Sequence, residues 1–391
     1  MKANVSSSVK QTPTLLVMAG GTGGHIFPGL AVAEKLKSEG WNIHWLGTPD
    51  RMEAQIVPAS GFEISFITIS GLRNKNAVAW LKLPFKLINS LLQALRVIRK
   101  VKPDVVLGMG GYASAPGGLA AWLMNKPLVV HEQNAAAGLT NRLLARIATK
   151  ICCAFPNAFK KGIAAQVVGN PLRASIGKNT SKIENEKTTK TSHNILVVGG
   201  SLGAQVLNEI VPISFEKLVN NRDENSDKNT VKDDIHNEAL LPFNIWHQTG
   251  KGKQDKVIKS YSQQYLTDGK VKVTEFIDDI ASAYQWADIV ICRAGALTVS
   301  ELAMAAKPAI LVPLPHAVDD HQTKNAQYLV SRDAGILIKQ NELTHESLTK
   351  QLNELFSDPQ ILKQMAESAF AAADADATNK VASICQQLAA A

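Results

Sequence analysis

Short strand-like runs, most of them continuous in Val, Ile and Leu, recur along this chain. They lie at residues 15–19, 43–46, 105–107 and 128–131, and again at 195–198, 245–248, 289–292 and 310–312. Longer stretches with helical spacing or a high Ala content separate them. A strand that is apolar throughout, rather than at every second position, is buried on both faces, as in a parallel sheet covered by helices. Strands alternating with helices predict the α/β class with doubly wound sheets.

The runs fall into two matching sets. Leu15-Leu16-Val17-Met18-Ala19-Gly20-Gly21-Thr22-Gly23-Gly24 resembles Ile195-Leu196-Val197-Val198-Gly199-Gly200-Ser201-Leu202-Gly203-Ala204. Val105-Val106-Leu107-Gly108-Met109-Gly110-Gly111-Tyr112 corresponds to Ile289-Val290-Ile291-Cys292-Arg293-Ala294-Gly295-Ala296, and each is followed by an Ala-rich segment, a Lys-Pro pair and another strand. Repetition on this scale predicts two Rossmann-like domains. The 391 residues suffice for two cores, since single cores stop growing near roughly 250–300 residues. The expected division is an N-terminal domain at 1–177, a polar linker at 178–193 and a C-terminal domain at 194–357. A helical tail at 358–391 is expected to return to the first domain. Residues 220–238 are as polar as the linker and read as a surface insertion. Ligands of such sheets bind beyond the carboxyl ends of the strands, so the site is expected where the two domains face each other.

Composition narrows the picture. With 45% hydrophobic and 19% charged residues the chain is an ordinary globular one. Its net charge of +8 suits anionic partners, yet no dense Lys/Arg block interleaved with aromatics marks a nucleic-acid surface. The four cysteines show neither disulfide nor CxxC spacing and fit a reducing cytoplasm. No signal peptide is visible, and nothing approaches the ~20 apolar residues of a membrane span. Residues 72–100 interleave Trp80, Leu81, Phe85, Leu87 and Ile88 with Arg73, Lys75, Lys82, Lys86, Arg96, Arg99 and Lys100, without an acid. That composition fits an anionic lipid surface as well as a packed helix with a basic outer face.

The chemistry concentrates at strand ends. Ala294-Gly295-Ala296 follows a strand and leads to a helix expected to begin near Thr298, whose free N–H groups and dipole form an anion site without a metal. Glu301, a turn further on, is placed to accept from a sugar diol, and the combination suits a nucleotide diphosphate. Gly20-Gly21-Thr22-Gly23-Gly24-His25 opens a helix expected at 30–36 and allows close approach of a phosphate. It is neither a dinucleotide fingerprint nor a P-loop. His25 reads as a polar residue at a helix start or as a general base, and the adjoining cradle favours the base. His131-Glu132-Gln133-Asn134 ends a strand with four polar side chains, which are expensive to bury unpartnered. Arg173 offers a fork for phosphate or a hinge ion pair. Phe276-Ile277-Asp278-Asp279 could read a base through its backbone, and Asp319-Asp320-His321-Gln322 offers sugar-hydroxyl readers. Asp374-Ala375-Asp376 imitates a metal motif but is expected in a helix, on a solvated face; no metal or other cofactor is expected.

Together these runs resemble the MurG family of bacterial N-acetylglucosaminyltransferases, from Gly20 to the C-terminal helix. The resemblance rests on Gly-Gly-Thr-Gly-Gly-His-Ile-Phe-Pro-Gly-Leu-Ala, Gly-Met-Gly-Gly-Tyr, His-Glu-Gln-Asn, Gly-Asn-Pro-Leu-Arg and Gly-Ala-Leu-Thr-Val-Ser-Glu in the family's order. It implies a GT-B fold, UDP-N-acetylglucosamine as donor and lipid I, the undecaprenyl-pyrophosphoryl-N-acetylmuramoyl-pentapeptide, as acceptor. It further implies inversion by direct displacement, with His25 as base and Glu132 as its support. Ile277 would meet uracil and Glu301 the ribose. Ser201 with Ala296, Leu297, Thr298, Val299 and Ser300 would hold the diphosphate. Asn134 and Arg173 would line the nucleotide-sugar site, and Gln322 would read sugar hydroxyls. Thr22, Gly23 and Gly24 would face the donor sugar and the acceptor pyrophosphate. A peripheral place on the cytoplasmic face of the inner membrane is implied, with partners among cell-wall synthesis and division proteins.

Three departures from the family pattern stand out: Leu202 where Gln is common, Ala294 where Ser is common, and the insertion at 220–238. Competing readings are a transferase for another lipid acceptor, a UDP-N-acetylglucosamine 2-epimerase, and a non-catalytic nucleotide-sugar-binding subunit.

Overall fold

The computed structural model describes residues 12–69, 83–177, 192–200, 202–226, 242–315 and 320–391. The chain forms two compact units: residues 1–133, 137–173 and 376–391 make the first, and 134–136 with 174–375 the second. Each is built on its own all-parallel sheet.

The first sheet comprises β1 (Thr14–Ala19), β2 (Asn42–Gly47), β3 (Glu63–Phe66), β4 (Val105–Gly110), β5 (Leu128–Glu132), β6 (Lys150–Cys153) and β7 (Gln166–Val167), in the order β3-β2-β1-β4-β5-β6-β7. The second comprises β8 (His193–Val198), β9 (Phe243–Gln248), β10 (Val271–Thr274), β11 (Ile289–Cys292), β12 (Ala309–Leu311) and β13 (Gly335–Leu337), in the order β10-β9-β8-β11-β12-β13. In both, chain order reverses beside the first strand, which opens a ligand crevice between β1 and β4 and between β8 and β11. The internal repeat in sequence is therefore a repeat of topology.

Side-chain alternation along β1 shows why the strand is apolar throughout. Leu15, Val17 and Ala19 pack with Ile26 and Leu36 of the helix Gly23–Ser38 and with Val381, Ile384 and Cys385 of the helix Ala377–Ala390. Leu16 and Met18 pack on the other face against Ala94, Ile98, Ala120 and Leu144. Helices cover both faces, so none of Leu15–Ala19 meets water. The second core is organised in the same way around Ile195, Val197, Phe215, Phe243 and Phe356.

Several element bounds differ from the sequence expectation. The helix after β1 starts at Gly23, not near residue 30, because Thr22 is an extended N-cap directly after the glycine turn. The polar stretch at 220 onward begins as helix, since Gln205–Ser226 is continuous; residues 227–241 lie outside the described ones. Residues 178–191 of the expected linker also lie outside them, and β8 begins at the buried His193. The helical tail is shared: Pro359–Ala371 packs within the second unit, and only Ala377–Ala390 packs within the first. Asp374 and Asp376 sit in the break between these helices, with Asp376 the N-cap of the second, and not within one helix as expected.

Candidate active site

In the second unit β8 and β11 are neighbours, with Val198 paired to Cys292. The loop at 199–204 and the turn Arg293-Ala294-Gly295 therefore leave the sheet side by side at its carboxyl edge. The second turn passes directly into the helix Ala296–Met304, whose N-cap Gly295 is extended and lends no side-chain cap. The helix begins two residues before the expected Thr298, because Ala294, Gly295 and Ala296 are small enough for an abrupt turn. Val299 is fully buried toward the sheet, whereas Leu297, Thr298 and Ser300 are only partly covered. The positive end of the helix dipole thus lies at the same sheet edge as the loop after β8, an arrangement that attracts phosphate.

Around this point the candidate residues take definite places. Glu301 is buried and its Oε2 accepts from the Tyr284 phenol at 3.1 Å. The Ser300 hydroxyl donates back to the Ala296 carbonyl at 3.1 Å. Gln322 Oε1 accepts from the Leu314 backbone N–H at 2.9 Å. Asn134 belongs to this unit, its Oδ1 accepting from Asn325 Nδ2 at 3.3 Å. Ile277 is buried, and Asp279 caps the helix Ile280–Trp286 by accepting from the Ser282 N–H at 3.1 Å, a structural role rather than a base contact. Ser201 and Asp319 lie outside the described residues. The Leu202 side chain is 84% exposed, so its departure from the family pattern disturbs no packing.

The glycine turn of the first unit is held from behind. Glu53 is fully buried, and its carboxylate accepts from the Gly21 N–H at 2.9 Å and from the Thr48 N–H and hydroxyl at 3.1 and 2.6 Å. His25 Nδ1 lies 3.1 Å from the Gly20 carbonyl. A carbonyl only accepts, so Nδ1 carries the proton and the lone pair stays on Nε2. Gly110 has φ +104, and a Cβ there would stand 3.2 Å from His25 Nε2 and 3.7 Å from Asn141 Nδ2. His25 and Asn141 thus flank Gly110. Asn141 Nδ2 in turn donates to Glu132 Oε2 at 2.8 Å, which the Gly138 N–H also serves at 3.0 Å. The structure brings His25 and Glu132 into one cluster, with Asn141 between them.

The other polar residues after β5 mainly support one another. His131 Nε2 donates to the Gly169 carbonyl at 2.9 Å, Gln133 Nε2 donates to the His131 carbonyl at 3.1 Å, and Asn170 Nδ2 donates to the Gln133 carbonyl at 3.1 Å. Burial lowers the His131 pKa to about 4, so the ring is neutral. Arg173 forms no ion pair among the described residues; its guanidinium lies 4.0 Å over the Phe27 ring and its buried Nε has no partner. Burial pushes the Cys152 and Cys292 thiols up to about 12 and Cys153 up to about 11, which keeps them protonated and unreactive at neutral pH. Among the described residues no three His, Cys, Asp or Glu side chains converge on a common point.

Sequence reasoning misses four residues that shape these sites. Glu53 and Asn141 are named above. Arg293 donates to the Val312 and Pro313 carbonyls at 3.1 Å each and to Gln340 Oε1 at 2.7 Å, fixing the turn before the 296 helix to the next strand end. Gln248 bonds the backbone of the 199–204 loop. Only Gln248 carried a usable signal, since His247-Gln248-Thr249 is a polar run at a strand's carboxyl end, as 131–134 is.

Residues 15–153 match the glycosyltransferase family 28 N-terminal domain, and residues 194–387 match the family's C-terminal domain. Over 376 residues, covering 96% of this chain and 92% of the relative, the sequence is 66% identical to a UDP-N-acetylglucosamine–N-acetylmuramyl-(pentapeptide) pyrophosphoryl-undecaprenol N-acetylglucosamine transferase of Colwellia psychrerythraea. It is 50% identical over 401 residues to the transferase of the same description from Pseudoalteromonas atlantica, covering 99% of each chain. The crystal structure of Acinetobacter baumannii MurG superposes with a TM-score of 0.75 at 37% identity, covering 96% of this chain and 99% of that one.

Proposed function

This chain belongs to glycosyltransferase family 28, with the two-domain GT-B architecture, and we propose that it transfers N-acetylglucosamine from UDP-N-acetylglucosamine to lipid I. The observation that carries the reading is that the loop after β8 and the start of the helix Ala296–Met304 follow paired strands of the second unit.

The donor's diphosphate sits on the N–H groups at Ala296, Leu297 and Thr298, with Val299 and Ser300 completing the turn; the sequence resemblance adds Ser201 to this set. Glu301 accepts from the ribose hydroxyls, and the backbone at Ile277 reads uracil. Gln322 donates through Nε2 to a sugar hydroxyl. Asn134 lines the nucleotide-sugar site. Arg173, stacked on Phe27 with no ion pair among the described residues, offers its fork to phosphate. Thr22, Gly23 and Gly24 face the donor sugar and the acceptor pyrophosphate.

Transfer is a single displacement. The muramoyl 4-hydroxyl oxygen attacks the anomeric carbon and its proton passes to His25 Nε2. The bond from the anomeric carbon to UDP breaks, and UDP leaves with the electron pair. The orientation of His25 by the Gly20 carbonyl supports its role as base, and Glu132 acts through Asn141 on the same cluster. Charge developing on UDP is met by helix N–H groups, which needs no divalent ion.

The acceptor's lipid tail calls for a membrane-facing surface. Phe85, Leu87, Ile88 and Leu92 on the helix Leu83–Val101 are exposed. So are Trp122 and Leu123 on the helix Ser114–Leu123, and Leu139 and Leu143 on the helix Leu139–Leu144. The first of these helices packs on the second and the second on the third, so the apolar residues belong to one three-helix layer. Lys86, Arg96 and Arg146 are exposed on the same helices or just beyond them. Such a surface fits peripheral attachment to an anionic leaflet on the cytoplasmic side. Trp80 and the basic residues 73–82 lie outside the described residues. Partners among cell-wall synthesis and division proteins are part of the same proposal. No helix among the described residues is long and apolar enough to cross a membrane.

The test is UDP release from UDP-N-acetylglucosamine in EDTA, with and without a lipid I analogue. Release that needs the acceptor is the expected result. Release without it would turn the reading toward epimerisation, and no release at all would remove the transferase.

A further inference from the structure

Gln248 is the last residue of β9 and is almost fully buried, yet its amide makes no use of other side chains. Oε1 accepts from the Gly200 N–H at 3.0 Å, while Nε2 donates to the Gly200 carbonyl at 3.0 Å and to the Glu275 carbonyl at 2.7 Å. Both faces of the amide are thereby spent on the backbone of two different loops. Gly200, with φ +81, immediately precedes Ser201 in the loop after β8. Glu275 lies two residues before Ile277 in the loop after β10. β9 lies between these two strands in the sheet, so a side chain at its carboxyl end can reach both.

The segment following Gln248 reinforces the link. The Gly250 N–H donates to the Glu275 carbonyl at 3.1 Å, the Gly252 N–H to Glu275 Oε1 at 2.6 Å, and Lys253 Nζ to the Leu202 carbonyl at 2.8 Å. Gly203 presses so closely on Thr249 that any Cβ there would collide with the Thr249 carbonyl.

We propose that Gln248 is a positioning residue that fixes the spacing between the diphosphate loop and the base-reading loop, so that the site takes a nucleoside diphosphate as one rigid two-point ligand. The inference rests on the donor-site reading above. Without the amide each loop keeps its own strand attachment and its contacts with residues 249–253, but the direct link from Gly200 to the Glu275 carbonyl is lost and the distance between the loops is set less tightly. Ligands that touch both loops then lose affinity, while a ligand that touches one does not.

The test is calorimetric binding of UDP and of uridine to wild type, Q248M and Q248E between pH 6 and pH 8, with melting curves alongside. Q248M removes three hydrogen bonds at little change in volume and should weaken UDP by roughly 10–100-fold, with uridine within about threefold of wild type. At saturating UDP-N-acetylglucosamine its kcat should stay within about threefold, so that the defect lies in KM. Q248E sets a carboxylate against two carbonyl oxygens. At pH 8 it should bind UDP as weakly as Q248M. On acidification the buried carboxyl takes a proton, regains a donor and should recover at least about fivefold relative to wild type at the same pH.

That pH response is read within one folded variant, so it survives a Q248M that does not fold. A UDP affinity in Q248M within about twofold of wild type, equal losses for uridine and UDP, or a Q248E ratio that does not change with pH would each overturn the proposal. If wild type itself fails to bind UDP, the donor-site reading falls and this inference with it; intact wild-type binding confines a failure to Gln248.

Discussion

The two glycine turns occupy the same place in the same strand order, yet they are braced by different chemistry. The turn after β1 is held by the Glu53 carboxylate, the turn after β8 by the Gln248 amide, and each brace comes from the end of the second strand or just beyond it. A carboxylate only accepts, so Glu53 gathers the N–H groups of Gly21 and Thr48 and the Thr48 hydroxyl, and its reach ends with those two neighbouring loops' donors. An amide also donates, so Gln248 can grip both sides of Gly200 and still hold the Glu275 carbonyl. The amide also adds no negative charge behind a loop that is proposed to hold a diphosphate. Duplicated topology leaves the choice of brace free, and that choice separates a turn built beside a histidine from a turn built beside an anion.

The comparison can be broken at several points. The largest effect is expected from His25→Ala, which should lower kcat by roughly 10²–10⁴-fold and leave the calorimetric affinity for UDP unchanged. Comparable turnover would remove His25 as the base and erase the functional difference between the turns. Glu53→Ala leaves the half-buried Gly21 N–H and the buried Thr48 N–H without their acceptor and should lower the stability of the first unit by about 2–4 kcal/mol. Urea unfolding measures this, and a loss below about 1 kcal/mol would mean that the turn holds its shape unaided.

Acidification probes both units at once. His131 and His247 are buried and neutral, with pKa values lowered by burial to about 4 and about 3 from the ordinary 6.5. Above pH 6.5 neither state carries the protons and stability is level. As pH falls below 6.5 the unfolded chain takes up protons that the folded one refuses, so stability declines toward pH 4 and then 3. The slope is at most about 1.4 kcal/mol per pH unit for each histidine. Urea midpoints should therefore drop between pH 7 and pH 5, and His247→Gln should flatten the drop; an unchanged slope would contradict the assignment. The smallest effect is expected for Leu202→Gln. Its side chain is exposed and its carbonyl, not its side chain, meets Lys253, so UDP affinity should stay within about twofold. A tighter complex would show that the loop has room for a polar contact that this chain forgoes.

What could be read in the sequence follows from where the information resides. Both sheets, the glycine turns and the helix at residue 296 depend on local runs, and these were legible from apolar continuity and small residues. Glu53 and Gln248 act on backbone 32 and 48 residues away in sequence. Their roles depend on which strands become neighbours and on register, which no local pattern encodes. His131 and Gln133 stood out for their polarity, but only the partners at Gly169 and Asn170 show that they support a loop rather than face a ligand. The tail was misjudged because Pro359–Ala371 and Ala377–Ala390 are equally rich in small and apolar residues, and composition does not say which sheet each will cover.

That last helix imposes an order of assembly. Val381, Ile384 and Cys385 close the same core that Leu15 and Val17 begin, so the first unit joins its first strand to residues made more than 350 positions later. The second unit, apart from the short segment 134–136, lies wholly within 174–375 and is available in full before that helix emerges. During synthesis the domain begun first is thus completed after the second, and until residues 377–390 have been made the face of its sheet that Ile26 and Leu36 cover lacks its second helix.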